Sequence, residues 1–269
     1  MPEASRFYLQ GIGHVKVTQH REVEGFVKTI QVKREGRHWY LVLSCDDVPA
    51  KPLELTGAVV GVDVEVASFL TTSEGGHVDN PRFARVGADR LTAAQRVLAR
   101  KQRGSNNRLA ARATVAARHR KIANQRRDFH HKVAKRLVHE FDVLVVEDLT
   151  VKNMTRRAKS VADPDNLGRF LPNGATAKTG LNRRINDAGW AQFRSILEAK
   201  AEEAGRLVLS VNPRYTSQTC HECGHGEAGN RVSQAEFRCQ RCGHEAHADV
   251  NAARNILGAG LALLVASAA

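Results

Sequence analysis

Phe141-Asp142-Val143-Leu144-Val145-Val146-Glu147 is the stretch on which the fold turns: within it Val143 to Val146 is a short, fully apolar run that ends on an acid. Four such residues are too few for a helix of ordinary length and read as a strand inside a sheet. Working outward, Ala58-Val59-Val60-Gly61-Val62, within 56–63, reads as a second buried strand, and Ala67 to Thr72 as its hairpin partner. Between the two valine strands, apolar residues recur at helical spacing: Val115, Ile122 and Phe129 seven apart, then Val133 and Leu137 at four-residue steps. Two long helices are expected there, broken at Gly104-Ser105-Asn106-Asn107. Strand, helices, strand implies an α/β sheet.

The helices carry the charge. Residues 82–136 contain 17 Lys and Arg against two acids, Asp89 and Asp128, a local +15 that exceeds the +13 of the whole 269-residue chain. A solvated basic face is the ordinary meaning of a charge run, but an excess of this size repels itself unless a polyanion neutralises it. Nucleic-acid phosphate is the expected partner, with Arg100, Lys101, Arg103, Arg120, Lys121, Arg126 and Arg127 as candidate contacts.

Composition bounds the rest. With 42% hydrophobic and 26% charged residues, disorder and coiled-coil composition are disfavoured. No apolar run reaches the ~20 residues of a membrane span, and Met1 to Gln10 does not read as a signal peptide, so a cytoplasmic protein without membrane partners is expected.

Toward the N-terminus, Ile12 to Cys45 alternates through Val15, Val17, Phe26, Ile30, Val32, Trp39, Leu41 and Leu43, with a turn at Glu35-Gly36-Arg37. This reads as a small antiparallel β unit, with Cys45 a buried thiol. After Glu147, Thr150 to Asp187 reads as a long polar loop punctuated by Pro164, Gly168, Pro172, Gly174 and Gly180. Trp190, Phe193, Leu197 and Ala201 then trace one helix face stopped at Gly205, and Leu207 to Val211 a further strand. Asp249 to Leu261 reads as an Ala-rich helix with Asn251, Arg254 and Asn255 on its polar side, followed by a short apolar end that packs or frays.

Two sets of residues carry chemistry. Cys220-His-Glu-Cys223 and Cys239-Gln-Arg-Cys242 are CxxC pairs separated by fifteen residues, each followed by Gly and His. Four thiolates so arranged suit one structural Zn²⁺ and leave no open coordination position. His225, His244 and His247 are left over as supporting or surface groups. The second set is Asp63, Glu147 and Asp249, acids at the ends of three different elements. Open α/β sheets gather their sites where strands end. Three carboxylates would suit Mg²⁺ or Mn²⁺, and two such ions suit phosphodiester hydrolysis, whereas each acid alone could equally cap a helix or lie at the surface.

On these residues the chain resembles TnpB/OrfB-type proteins of insertion sequences, RNA-guided endonucleases similar to type V CRISPR effectors. The resemblance rests on Gly61-Val-Asp63, Val145-Val-Glu-Asp-Leu149 with Lys152-Asn-Met154, Gly180-Leu-Asn-Arg183 with Gly189-Trp190, Pro213-Arg-Tyr-Thr-Ser-Gln218, the cysteine pairs and Ala248-Asp-Val-Asn-Ala-Ala253. Asn124-Gln-Arg-Arg127 belongs to the same pattern. It implies an RNase H/RuvC-like α/β nuclease core with inserted basic helices and a zinc ribbon, and a partial β-barrel wedge segment ahead of it. The implied division is wedge 1–52, core 53–212 with the basic insertion at 82–140, ribbon 213–247 and final helix 248–269. It further implies catalytic Asp63, Glu147 and Asp249, with guide RNA and target DNA as partners and no small-molecule substrate. Such proteins usually have a larger N-terminal region, so truncation is expected to impair guidance, the alternative being a noncatalytic nucleic-acid-binding remnant. Glu65 stands where the family commonly has glycine or another small residue, a fourth carboxylate that either crowds the metals or lies at the rim.

Overall fold

The computed structural model describes residues 4–19, 22–36, 38–166 and 168–268. Two antiparallel hairpins come first: β1 (Ala4–Leu9) with β2 (Gly13–Thr18), and β3 (Phe26–Glu35) with β4 (His38–Asp46). The first strand lies ahead of the expected β unit, and the two hairpins form separate two-stranded sheets rather than one. Alternation along β3 and β4 predicts a buried face, yet Phe26 is 75% and Trp39 66% exposed, because no second layer covers them within the described residues. Cys45 is correspondingly half-buried rather than a core thiol. Arg37, the last residue of the expected turn, lies outside the described residues.

The core sheet follows. β5 (Val59–Val64) turns back antiparallel into β6 (Ser68–Thr72) and then β7 (His77–Asp79). The basic segment forms α1 (Phe83–Ala99) and α2 (Asn106–Glu140), with Ser105 capping α2 through its hydroxyl to the Arg108 N–H. β8 (Val143–Glu147) lies parallel to β5, Val59 opposite Val143 through Val62 opposite Val146. α3 (Val151–Met154) and α4 (Ala175–Ala188) come next, so the expected loop over 150–187 is corrected: only its middle is irregular. Glycine and proline density concealed α4, whose Gly180 faces open space and whose Ile185 and Ala188 are buried. Gly189, at φ +70, closes α4 and turns the chain into α5 (Trp190–Ala204). β9 (Leu207–Val211) adds in parallel beyond β8, completing the order β7-β6-β5-β8-β9. β10 (Glu236–Arg238) and β11 (Glu245–His247) form the ribbon hairpin, and α6 (Ala248–Ala268) runs past the expected stop at Leu261, leaving Leu263 and Val265 exposed.

Alternation along the central strands sorts the two faces of the sheet. Val60, Val62, Leu144 and Val146 pack against Val133 and Leu137 of α2 and Phe193 and Leu197 of α5. Val145 and Val211 face the other way, onto Ile256 of α6. Burying each such side chain contributes roughly 1.5–3 kcal/mol, so the α2/α5 face dominates the stability of the fold. The α6 face is thinner, and it holds the acids.

Candidate active site and metal centre

Gly61 decides where α6 sits. A Cβ built there would overlap the Ala253 carbonyl and crowd Leu257, and one at Gly260 would overlap Val145, so both glycines let helix and sheet touch backbone to side chain. Asp63 shares the face of Gly61 two residues on, and Glu147 that of Val145. Docking α6 there brings Asp249, in its first turn, over the strand ends.

The three acids are thereby brought into one electrostatic neighbourhood. Burial foremost, then the charges of Glu147, Asp249 and Glu65, push the Asp63 carboxyl well above the usual carboxylate range, with Arg231 pulling the other way. Burial also raises Glu147, partly offset by Thr216 Oγ1, which donates to Glu147 Oε1 at 2.6 Å. Asp249 is met by the Arg231 guanidinium, whose Nη2 donates to Oδ1 at 2.8 Å. Glu65 is raised by burial, against the hydrogen bond from Ser68, and its carboxyl reaches that of Asp249. The donor set is hard oxygen throughout and fits Mg²⁺ or Mn²⁺. The oxygens are spaced more widely than one ion's ligand shell: among the described residues, only the four cysteines and the trio His221, Glu222 and His244 bring three or more ligand atoms within 4.8 Å of one another.

The cysteines fit zinc closely. Cys220 Sγ lies 3.7 Å from Cys242 Sγ, and Cys223 Sγ 3.6 Å from Cys239 Sγ. Zn–S bonds of ~2.3 Å at tetrahedral angles set sulfur atoms about 3.8 Å apart, whereas a disulfide would hold them near 2 Å. Burial opposes the Cys239 thiolate, but backbone N–H groups of Cys242 and Arg241 overcome it and bring that thiol down to about 6. Of the remaining histidines, His225 pairs with Glu227, and His247 Nδ1 approaches Asp249 Oδ2 at 3.8 Å. In the trio, Arg254 Nη1 already meets His221 Nε2 at 3.0 Å, which places a guanidinium where a cation would bind.

Ribbon and acids are mechanically joined. Asn251 donates to the Thr219 carbonyl at 2.8 Å and accepts from the His221 N–H at 3.0 Å, while Asn255 donates to the carbonyls of Thr216 and Thr219. The polar side of α6 is thus turned onto the first cysteine knuckle rather than into solvent. Thr216 and Arg231 are site residues that sequence reading did not single out. Thr216 lay inside a quoted motif, whereas Arg231 carried no local signal.

The basic candidates divide. Arg100, Lys101 and Arg103 are exposed in the turn between α1 and α2, which Arg108 pins by donating to the carbonyls of Leu98 and Lys101. Arg120 and Arg127 line an open cleft of about 400 Å³ with Glu35 and Gln192, and Lys121 is exposed. Arg126 has a partner within the chain: its guanidinium pairs with Asp187 at 3.2 Å, tying α2 to α4.

A mixed five-stranded sheet with acids at its parallel strand ends and a four-cysteine cluster beside them defines an α/β protein, and the four cysteines could hold one zinc ion. Residues 30–158 match the family described as Probable transposase, OrfB of IS605, and residues 190–256 match the Cas12f1-like TNB domain. The chain is 39% identical to InsQ of Escherichia coli K12, named as a candidate RNA-guided DNA endonuclease, over 97% of its own length and 64% of InsQ. It is 31% identical to the CRISPR-associated endodeoxyribonuclease Cas12f1 of Sulfoacidibacillus thermotolerans, over 92% of this chain and 57% of that one. It therefore spans between about half and two thirds of the length of these curated relatives. A Cas12f1–sgRNA–target DNA complex shares the fold at a TM-score of 0.51 and 21% identity, over 85% of this chain and 55% of that one. The chain belongs to the TnpB/OrfB-type family of insertion-sequence proteins.

Proposed function

We propose that the chain is a transposon-associated, RNA-guided DNA endonuclease that hydrolyses phosphodiester bonds at a RuvC-like site formed by Asp63, Glu147 and Asp249. The observation that carries this reading is the Asp63 carboxyl lying in the field of both Glu147 and Asp249, three acids from elements far apart in sequence. Mg²⁺ or Mn²⁺ held by these oxygens would supply Lewis-acid stabilisation of charge on the phosphodiester. Thr216 orients Glu147 by its hydrogen bond, and Arg231 holds Asp249 in place. Cys220, Cys223, Cys239 and Cys242 would bind one structural Zn²⁺ that keeps the ribbon, and through Asn251 and Asn255 the start of α6, in register.

The partners on this reading are a guide RNA and a target DNA, the guide pairing with the target while the protein senses duplex shape and backbone. Relatives named as RNA-guided endonucleases support it. Residues 1–52 are assigned to wedge, 53–212 to core with the basic insertion 82–140, 213–247 to ribbon and 248–269 to the last helix. No helix among the described residues is long and apolar enough to cross a membrane.

The test is cleavage of single-stranded DNA, and of plasmids with and without a guide-matched target, in Mn²⁺ or Mg²⁺. Metal-dependent cleavage abolished by Asp63→Ala supports the reading. Retained nucleic-acid binding with no cleavage of any substrate moves it to the noncatalytic alternative.

A further inference from the structure

The cleft between the tip of the β3–β4 hairpin and the middle of α2 is not lined as a plain basic surface is. At about 400 Å³ it falls within the ~300–1,000 Å³ range of small-ligand sites. Gly36 brings its two sides together: it turns the hairpin at φ +64, and a Cβ there would stand 2.9 Å from Arg120 Nη1. Arg120, Asn124 and Arg127 recur at helical spacing and so share one face of α2. Among the described residues neither guanidinium has an ion-pair or hydrogen-bond partner, unlike that of Arg126, which Asp187 holds. Glu35, the acid of the cleft, is met instead by Lys33 Nζ at 2.7 Å. Gln192, from the start of α5, adds a second carboxamide to that of Asn124, and Ala123 contributes only a methyl group.

A surface that merely attracts a polyanion gains nothing from an acid or from neutral amides, since the one repels phosphate and the others carry no charge. These are the groups that meet nucleobase edges: Asn and Gln pair with adenine through two hydrogen bonds, and a carboxylate accepts from the amino group of cytosine. A duplex keeps its base edges in its grooves and offers phosphate and sugar on its outside. Groups that read edges, set in a cleft beside two uncommitted guanidinia, suit a nucleotide whose base is unpaired.

We infer that this cleft seats one unpaired nucleotide of a single-stranded nucleic acid, with Arg120 and Arg127 on its phosphates and Asn124, Gln192 and Glu35 on its base and sugar. The inference deepens the nucleic-acid reading, on which it rests, by naming the strandedness of the segment bound here. None of the acids assigned to phosphodiester hydrolysis takes part in it.

The experiment measures binding of the zinc-loaded chain to a short labelled strand of mixed sequence, as RNA and as DNA, and to each hybridised to its complement. Fluorescence anisotropy is read over a series of salt concentrations, without Mg²⁺ or Mn²⁺. Arg120→Gln with Arg127→Gln should weaken the single strand and flatten its slope of log affinity against log salt by ~1.4, two phosphate contacts at about 0.7 each. Asn124→Ala with Gln192→Ala should weaken the single strand about fivefold, with the salt slope and duplex affinity unchanged, because only uncharged hydrogen bonds are lost. Ala123→Leu fills the cleft without altering charge and should act in the same way, which carries the test should the double variant fold poorly. Full single-strand affinity in the folded Asn124→Ala, Gln192→Ala chain, or an equal loss for strand and duplex, overturns the inference and leaves a plain phosphate-binding surface. An unaltered chain that binds neither strand nor duplex overturns the nucleic-acid reading as well. The selective loss, found in a chain that cleaves nothing, upholds the seat while the nuclease reading falls.

Discussion

Arg231 of the ribbon donates to Asp249 Oδ1 at 2.8 Å, so the acid that completes the site is neutralised by the segment that carries the cysteines. The Asp249 side chain is 5% exposed, and removing a partner from so buried a carboxylate leaves its charge uncompensated, a cost of about 3 kcal/mol. The same guanidinium repels any cation approaching Asp249. Arg231→Gln should therefore lower the melting temperature without divalent ions and yet tighten Mn²⁺ several-fold. A lower melting temperature with unchanged Mn²⁺ affinity would show that Arg231 supports the fold without competing for the site.

Zinc and the acids should prove coupled. Cys239→Ser removes one sulfur of the tetrahedron, and metal analysis should find less than one zinc per chain. Because Asn251 and Asn255 are anchored on the backbone of the first knuckle, Mn²⁺ binding should fall with it although no acid is altered. Full Mn²⁺ affinity in a zinc-free chain would contradict that coupling.

His130 makes the fold acid-sensitive. It is fully buried, stacked on Phe69, and its Nε2 donates to the Ala188 carbonyl at 2.9 Å, while burial foremost brings its pKa down to about 4 from 6.5. A histidine with a lowered folded pKa contributes stability above its unfolded value, lost as pH falls from 6.5 toward 4. The loss should reach about 3 kcal/mol at most. Denaturant titrations across that window should show the decline. His130→Phe should be less stable at pH 7, having left the Ala188 carbonyl unpaired, but its curve should be flatter by that amount.

The salt dependence of nucleic-acid binding sorts the basic residues. Neutralising Arg100, Lys101, Arg103 and Lys121 should flatten the slope of log affinity against log salt by up to about four phosphate contacts' worth. Arg126→Gln should leave the slope nearly unchanged and instead destabilise the chain, because its guanidinium is engaged with Asp187. An unaltered slope in the fourfold variant would place the polyanion surface elsewhere.

The parts legible in the sequence were those whose signal is local. The strands at 59–64, 143–147 and 207–211 announce themselves because valine runs serve a sheet covered on both faces, and α2 and α5 because one apolar stripe meets the sheet. The ribbon was legible because four thiolates at that spacing have little else to do. Where two local signals conflicted, reading failed: in α4 the helix-forming 175–188 stretch is interrupted by Gly180 and preceded by Pro172 and Gly174, and the turn signals outweighed the periodicity. The β3–β4 alternation promised a covered face that the described residues do not supply. In the site, each acid was visible because it stands at the end of an element, whereas Arg231 depends on packing between segments, which leaves no trace at the level of neighbours in sequence.

The close seat of α6 on Gly61 also has a consequence in time. The hairpin bearing Asp63 and Glu65 is made first, Glu147 follows after two long helices, and Asp249 arrives on a helix that must descend onto a strand made nearly two hundred residues earlier. Contacts of such long range form late. A nascent chain on the ribosome thus carries most of the carboxylates but none of their convergence, and the acids come to share one neighbourhood only when the last helix comes to rest.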